Sequence, residues 1–198
     1  MTEIMKKNNI LISGGGTGGH IFPAIAIANK IKEKNPSVKI IFVGAKGKME
    51  MEKVPFHGYK IIPILISGFQ RNNLFKNFFL PLKILISLLS SLYIIIKYRP
   101  KVVIGTGGYV SGPLLFVSSL LNIPSIIQEQ NSFPGITNRF LSKYVDKICV
   151  AYDNMENFFP KNKIIVTGNP IRSLVFKKHN QPKSKSYFKL KKSNFTVL

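Results

Sequence analysis

The run Ser13-Gly-Gly-Gly-Thr-Gly-Gly-His20 follows the apolar residues Ile10-Leu11-Ile12 and leads past Phe22-Pro23 into a helical pattern. Glycine has no Cβ and tolerates positive φ, so consecutive N–H groups can turn toward phosphate or sugar oxygens. The helix beyond it aims the positive end of its dipole at the same place. His20 stands at the rim of this cradle as a candidate proton acceptor, because an imidazole ordinarily titrates at about 6.5. Its plainer reading is an ordinary residue of the first helical turn. Gly14, Gly16 and Gly19 also satisfy Gly-x-Gly-x-x-Gly, the turn of nicotinamide- and flavin-binding folds. That chemistry wants an Asp or Glu at the end of the second strand to hold a ribose, and Gly44-Ala45-Lys46 occupy the place. A bare strand-to-helix turn would need fewer glycines.

The elements that must position this loop are legible as alternating runs. Strand-like segments at Ile10–Ser13, Val38–Val43, Val102–Gly105, Ser125–Ile127, Lys147–Ala151 and Ile164–Thr167 alternate with helical stretches, which predicts an α/β fold with a Rossmann-like, doubly wound parallel sheet. Such sheets bind ligands at the carboxyl ends of their strands. Gly14–His20, Thr106–Gly112 and Glu129–Gly135 follow three of the strands and should therefore face one cleft. Pro23 and Pro113 fit first helical turns, where a missing N–H costs nothing.

Leu74 to Tyr98 is the most apolar stretch. Lys76, Asn77, Pro81 and Lys83 interrupt it, and the uncharged remainder, Ile84 to Ile96, is shorter than the roughly 20 residues that span hydrocarbon. Two readings stay open: a core-packed helix, or a monotopic face on which Leu74, Phe75, Phe78, Phe79 and Leu82 dip into a membrane interface while Arg71, Lys76 and Lys83 meet anionic head groups.

The 198 residues suffice for one α/β domain and the start of another. With 45% hydrophobic residues, disorder throughout is excluded. A lone cysteine, Cys149, cannot form an internal disulfide or a thiolate metal cluster, and its apolar neighbours suggest a buried strand in a reducing compartment. Met1 to Asn9 carries lysines but no apolar core, so no secretory leader is expected. The formal charge of +21 implies attraction to polyanions: nucleic acid, anionic lipid or phosphorylated substrates. Neither a reading helix nor an aromatic-studded sheet supports nucleic acid, and much of the charge reads as solvated surface. Lys177 to Lys192 holds seven lysines and no acid, a basic linker, after which Asn194–Leu198 resembles the first strand of a further domain. The division expected is a domain over 1–176, a linker over 177–192 and the start of a truncated second domain over 193–198.

Seven strings occur in order: Gly14–His20 with Phe22-Pro23; Met49-Glu50 with Pro55 and Gly58; Ile66-Ser67-Gly68; Gly107–Pro113; Glu129-Gln130-Asn131; Pro134–Arg139; and Gly168-Asn169-Pro170-Ile171-Arg172. Together they resemble the N-terminal half of the MurG family of bacterial glycosyltransferases. The resemblance implies a GT-B type enzyme of two Rossmann-like domains with a cleft between them. Its implied reaction is inverting and metal-independent: transfer of N-acetylglucosamine from UDP-N-acetylglucosamine to undecaprenyl-pyrophosphoryl-N-acetylmuramoyl-pentapeptide, in peptidoglycan synthesis. It implies no cofactor, no nucleic-acid partner, and a peripheral location on the cytoplasmic face of the inner membrane. Carried onto this sequence, Thr17, Gly18, Gly19, Asn131 and Arg172 match positions that reach UDP-N-acetylglucosamine, His20 matches the candidate base, and Gly107, Gly108 and Tyr109 match a second glycine-rich loop beside the acceptor pyrophosphate. Glu129 has two readings, an acceptor-site carboxylate or a structural one that caps loop amides. Asn131 is equally a turn residue by type.

The residue types agree with that chemistry. An acceptor hydroxyl must lose its proton as it attacks the anomeric carbon, and the departing UDP gains charge that loop amides, helix N-termini and Arg172 can stabilise. No Asp-x-Asp pair is available for a metal, since Asp146 and Asp153 are the only aspartates. One departure is Gln128, where relatives often carry His. The larger one is the missing donor half, which leaves a second reading: a non-catalytic acceptor-binding or membrane-docking half completed by a separate C-terminal chain.

Overall fold

The computed structural model describes residues 8–68, 78–171, 186, 187 and 189. Seven parallel strands form one sheet in the order β3-β2-β1-β4-β5-β6-β7. They are β1 (Asn9–Ser13), β2 (Lys39–Ala45), β3 (Lys60–Ile64), β4 (Val102–Gly105), β5 (Ser125–Glu129), β6 (Lys147–Val150) and β7 (Ile164–Val166). Five helices join them: α1 (Gly18–Lys34), α2 (Glu50–Phe56), α3 (Leu80–Tyr98), α4 (Ser111–Leu120) and α5 (Ile136–Leu141).

The strands are nearly continuous apolar runs because both faces of the sheet are covered. Successive side chains alternate between two cores. Leu11, Ile41, Val43 and Val103 pack with residues of α3, α4 and α5. Ile12, Ile40, Phe42 and Ile104 pack with Ile21, Ala24, Ile25 and Ala28 of α1 and Val54 of α2. The chain therefore leaves β1 on one face and β4 on the other, and these strands are neighbours, Leu11 beside Val103 and Ser13 beside Gly105. A crevice opens where two adjacent strands send their helices to opposite sides.

Three differences from the sequence reading have physical causes. Strand β3, absent from the six runs read from the sequence, contains Pro63, which interrupts the strand pattern; it is tolerated because β3 lies at the sheet edge, where one row of N–H groups needs no partner. Helix α1 begins at Gly18, so Pro23 lies inside it rather than in its first turn, and the exposed Gly19 loses the N–H that would have bonded its carbonyl. Pro113 does sit in the first turn of α4. Glu129 is the last residue of β5 rather than part of the loop beyond it.

Helix α3, at 19 residues, is long and apolar enough to cross a membrane by length and composition. Its Ser87, Ser91, Ile94 and Ile95 are buried. It ends on Arg99, in the left-handed region at φ 45°, followed by Pro100, a stop that no helix continues through. Of the basic linker and the residues after it, only Ser186, Tyr187 and Lys189 are among the described residues, and Leu74 to Asn77 also lie outside them.

Leu114 of α4 has no exposed surface and packs in the larger core. Leu114→Ala should lower the unfolding free energy by about 2–5 kcal/mol. Urea unfolding followed by circular dichroism would register this as a lower midpoint at an unchanged slope.

Candidate active site

Loop 13–20 is built around a buried carboxylate. Glu50, with no exposed surface, opens α2 and reaches back: its Oε1 accepts from the Ala45 N–H at 3.0 Å and its Oε2 from the Gly16 N–H at 3.1 Å. A Cβ on Gly15 would overlap that carboxylate, and one on Gly44 would come within 2.7 Å of the Glu50 Cγ. The amide of Gly16 is thus already committed within the protein, which weakens the dinucleotide reading independently of the missing ribose acid. The first N–H groups of α1, on Gly18 and Gly19, have no intrahelical acceptor and stay available to a ligand.

His20 is held by the same loop. Its Nδ1 lies 3.2 Å from the Gly15 carbonyl and 3.1 Å from the Thr17 hydroxyl. A carbonyl oxygen only accepts, so Nδ1 carries the proton of the neutral ring in that bond, and Nε2 is the free basic nitrogen. Against Nε2 stands loop 106–112. Gly107 and Gly108 adopt φ +100° and +80°, and a Cβ on Gly107 would lie 2.7 Å from the His20 Cδ2 and 3.0 Å from Nε2. A Cβ on Gly108 would overlap the Gly15 carbonyl. Two glycines are therefore needed for the two loops to meet. Among the described residues, the Gly107 and Gly108 N–H groups make no hydrogen bond.

Thr106 locks this meeting in place. Fully buried, it donates from its hydroxyl to the His20 carbonyl at 2.8 Å and from its N–H to Ser13 at 2.9 Å, while its own carbonyl accepts from Gln130 Nε2 at 2.8 Å. A Cβ on Gly14 would overlap the Thr106 hydroxyl. The Ser13 hydroxyl adds a bond to the Val43 carbonyl at 3.0 Å and reaches Val110 at 3.3 Å. Tyr109 lies against Gly16 and Gly68; burial first, and then the Glu50 carboxylate, push its phenol above the ordinary range, so it stays a neutral hydrogen-bonding group.

Segment 129–135 joins through Gln130. Its organiser is Glu129, only 2% exposed. Oε1 accepts from the Asn131 N–H and Nδ2, both at 3.0 Å, and Oε2 accepts from Asn138 Nδ2 at 2.9 Å and the Gly135 N–H at 3.3 Å. Four bonds use the acceptor sites of both oxygens. Of its two sequence readings the geometry favours the structural one, with Glu129 positioning the exposed Asn131. A fourth segment touches the same edge, with Asn169 Nδ2 donating to the Gln130 carbonyl at 3.2 Å. Arg172 lies outside the described residues. Also among the described residues, no three His, Cys, Asp or Glu side chains gather as metal ligands.

Residues 10–150 match the family model described as the glycosyltransferase family 28 N-terminal domain. The chain belongs to glycosyltransferase family 28. A relative from Flavobacterium psychrophilum, named UDP-N-acetylglucosamine–N-acetylmuramyl-(pentapeptide) pyrophosphoryl-undecaprenol N-acetylglucosamine transferase, is 53% identical over 98% of this chain and 53% of its own length. A Bacteroides fragilis protein of the same name is 50% identical over 96% of this chain and 50% of its own. Among solved structures, that of Acinetobacter baumannii MurG superposes with a TM-score of 0.71 at 28% identity, covering 89% of this chain and 48% of that one. The chain spans about half the length of the curated relatives it matches.

The matched region of this family 28 domain runs from β1 through β6 and so contains all three loops that converge. Sequence reasoning assigned no role to Glu50, Thr106, Gln130 or Asn138. Glu50 had a signal: the acid sought at the end of β2 stands five residues beyond it, serving the loop instead of a ribose.

Replacing Glu50 by Ala should leave the Ala45 and Gly16 amides without an acceptor and lower stability by about 2–4 kcal/mol, with Glu50→Gln costing less because it keeps one acceptor. Thermal unfolding of the two variants side by side checks the order. For Gly107→Ala, the left-handed φ and the ring contact together predict a folded protein whose His20 ring is displaced, seen as a shift of its imidazole resonances in NMR with the backbone spectrum otherwise kept.

Proposed function

We propose that this family 28 chain is the acceptor-side half of an inverting, metal-independent N-acetylglucosaminyltransferase. It acts from UDP-N-acetylglucosamine onto a lipid-linked, pyrophosphoryl muramoyl-pentapeptide. The observation that carries the reading is the fixed imidazole: His20 Nδ1 is engaged by Gly15 and Nε2 faces Gly107 and its uncommitted amide. The names of the half-identical relatives supply the substrate pair.

In this reaction the acceptor hydroxyl gives its proton to His20 Nε2 as its oxygen attacks the anomeric carbon. The new C–O bond forms on the face opposite the breaking bond to UDP, so the configuration inverts. The Thr17 hydroxyl and the Gly18 and Gly19 amides meet the donor, with Asn131 and Arg172 on its other side, and UDP leaves carrying the electron pair and the developed charge. Gly107, Gly108 and Tyr109 hold the acceptor diphosphate. The remaining donor contacts belong to a C-terminal half of the kind the longer relatives have the length to hold.

The membrane-facing part of the proposal rests on α3. Phe78, Phe79, Leu82, Leu85, Leu89 and Ile96 are all more than half exposed. Such a face, in a chain of charge +21, suits a peripheral position on an anionic membrane at the cytoplasmic side, where the lipid-linked acceptor is presented.

With UDP-N-acetylglucosamine and lipid-linked acceptor, the chain mixed with a C-terminal half from a relative should turn over, and His20→Ala should cut kcat by about 10²- to 10⁴-fold with acceptor binding kept. An unchanged rate would remove His20 as the base. Absence of turnover in every mixture, with acceptor still bound, would leave a docking half without chemistry.

A further inference from the structure

A second cavity adjoins the acceptor loop. It is an open apolar groove of about 390 Å³ between α3, α4 and α5, and Ile84, Leu88, Phe116, Ile136 and Phe140 are among its wall residues. Tyr109, which follows Gly107 and Gly108 in the same loop, and Gly112, in the first turn of α4, also line it. Leu80, the first residue of α3, lines it too and follows the exposed Phe78 and Phe79 in the chain. The groove thus adjoins the glycine loop through Tyr109 and the start of α3 through Leu80. A cation stands on its rim: Lys83 donates from Nζ to the hydroxyl of Ser67, itself a wall residue, at 3.4 Å.

We propose that this cavity takes the first isoprene units of the lipid-linked acceptor, those directly attached to its diphosphate. The inference rests on the assignment of Gly107 and Gly108 to that diphosphate. A polyprenyl diphosphate has the sequence of chemistry the cavity presents: an anion at the glycine amides and Lys83, then a run of apolar units with no hydrogen-bonding groups to satisfy. The wall offers few polar partners besides Ser67 and Thr137, which suits a prenyl chain and not a peptide, whose amides would be buried unpaired. Held this way, the acceptor is drawn partly out of the bilayer and gripped on both sides of its diphosphate, so its sugar cannot pivot away from His20.

The test uses water-soluble probes below their micellar concentrations and exploits the absence of tryptophan from the chain. Phe140→Trp places a single fluorophore in the wall. Farnesyl diphosphate should bind at least tenfold more tightly than geranyl diphosphate, since each buried CH₂ favours binding by several-fold, and inorganic pyrophosphate should compete with both. Ile84→Glu, at a position already 43% exposed and so tolerant in folding, should abolish the chain-length preference and leave pyrophosphate binding in place. Leu85→Glu, on the outward face of the same helix, should leave both unchanged. Equal affinity for the two prenyl diphosphates, with pyrophosphate still bound, overturns the cavity assignment and keeps the diphosphate loop. No binding by any of the three overturns both. A chain-length preference lost in Leu85→Glu and kept in Ile84→Glu assigns the prenyl chain to the outer face and overturns the proposal.

Discussion

Everything at the mouth of this sheet depends on two backbones meeting without side chains between them. The Gly15 carbonyl and the Cα of Gly108 are so close that a methyl group on the latter would overlap the former, and the His20 ring fills the space a Gly107 side chain would need. Sterics of this kind are absolute where most interactions are graded. A hydrogen bond lost here would cost about 1 kcal/mol, whereas a Cβ on Gly108 would have to displace the Gly15 backbone. The polar contacts around the meeting, from Thr106, Ser13 and Glu50, keep the two loops in register once glycine has allowed them to touch.

The same organisation explains why the site needs buried polar residues in a core that otherwise excludes them. Glu50, Thr106, Glu129 and Asn138 are each at most 2% exposed, and each bonds backbone groups or amides of the loops. An unpaired amide in such surroundings is costly, and a loop rich in glycine has amides in excess. Two carboxylates satisfy those that a ligand must not take. What is left over, at Gly18, Gly19, Gly107 and Gly108, is the set of donors open to the cleft. The dinucleotide pattern of the first loop is in this sense blunted by Glu50, which occupies part of the glycine cradle in advance.

Much of this was legible from residue types. Alternating apolar runs specify the doubly wound sheet, and the rule that ligands gather at strand carboxyl ends brings Gly14–His20, Thr106–Gly112 and Glu129–Gly135 together before any coordinate is known. What was hidden depends on distance through space. Pro63 reads as a strand breaker until one knows that β3 is an edge. Pro23 reads as a helix start until Gly18 and Gly19 prove to form the first turn. Thr106 and Gln130 carry no pattern at all, since a threonine after a strand and a glutamine in a loop are ordinary, and their significance comes only from the carbonyls of His20 and Thr106 that they face. For Glu129, residue type alone leaves both touching a ligand and holding a loop open; its four donors favour the second.

Helix α3 inverts the usual pattern of a soluble helix, and the inversion comes from how it is packed. Ser87 and Ser91 occupy its buried side, each hydroxyl donating at 2.7 Å to a carbonyl of the preceding turn, so they add no unpaired group and little bulk. Small residues let the helix sit close against the domain; Leu88 and Leu92 pack against its core, and Leu82, Leu85 and Leu89 face outward. An isolated exposed leucine needs no explanation, but a file of them on one helix, in a domain that could have buried them by exchanging serine for leucine, does. Two of the four buried positions are serine, while Leu82, Leu85, Leu89 and Ile96 face out. That outward file on α3, and the groove that Ile84 and Leu88 of the same helix help to line, are the surfaces on which the proposed membrane and prenyl contacts rest.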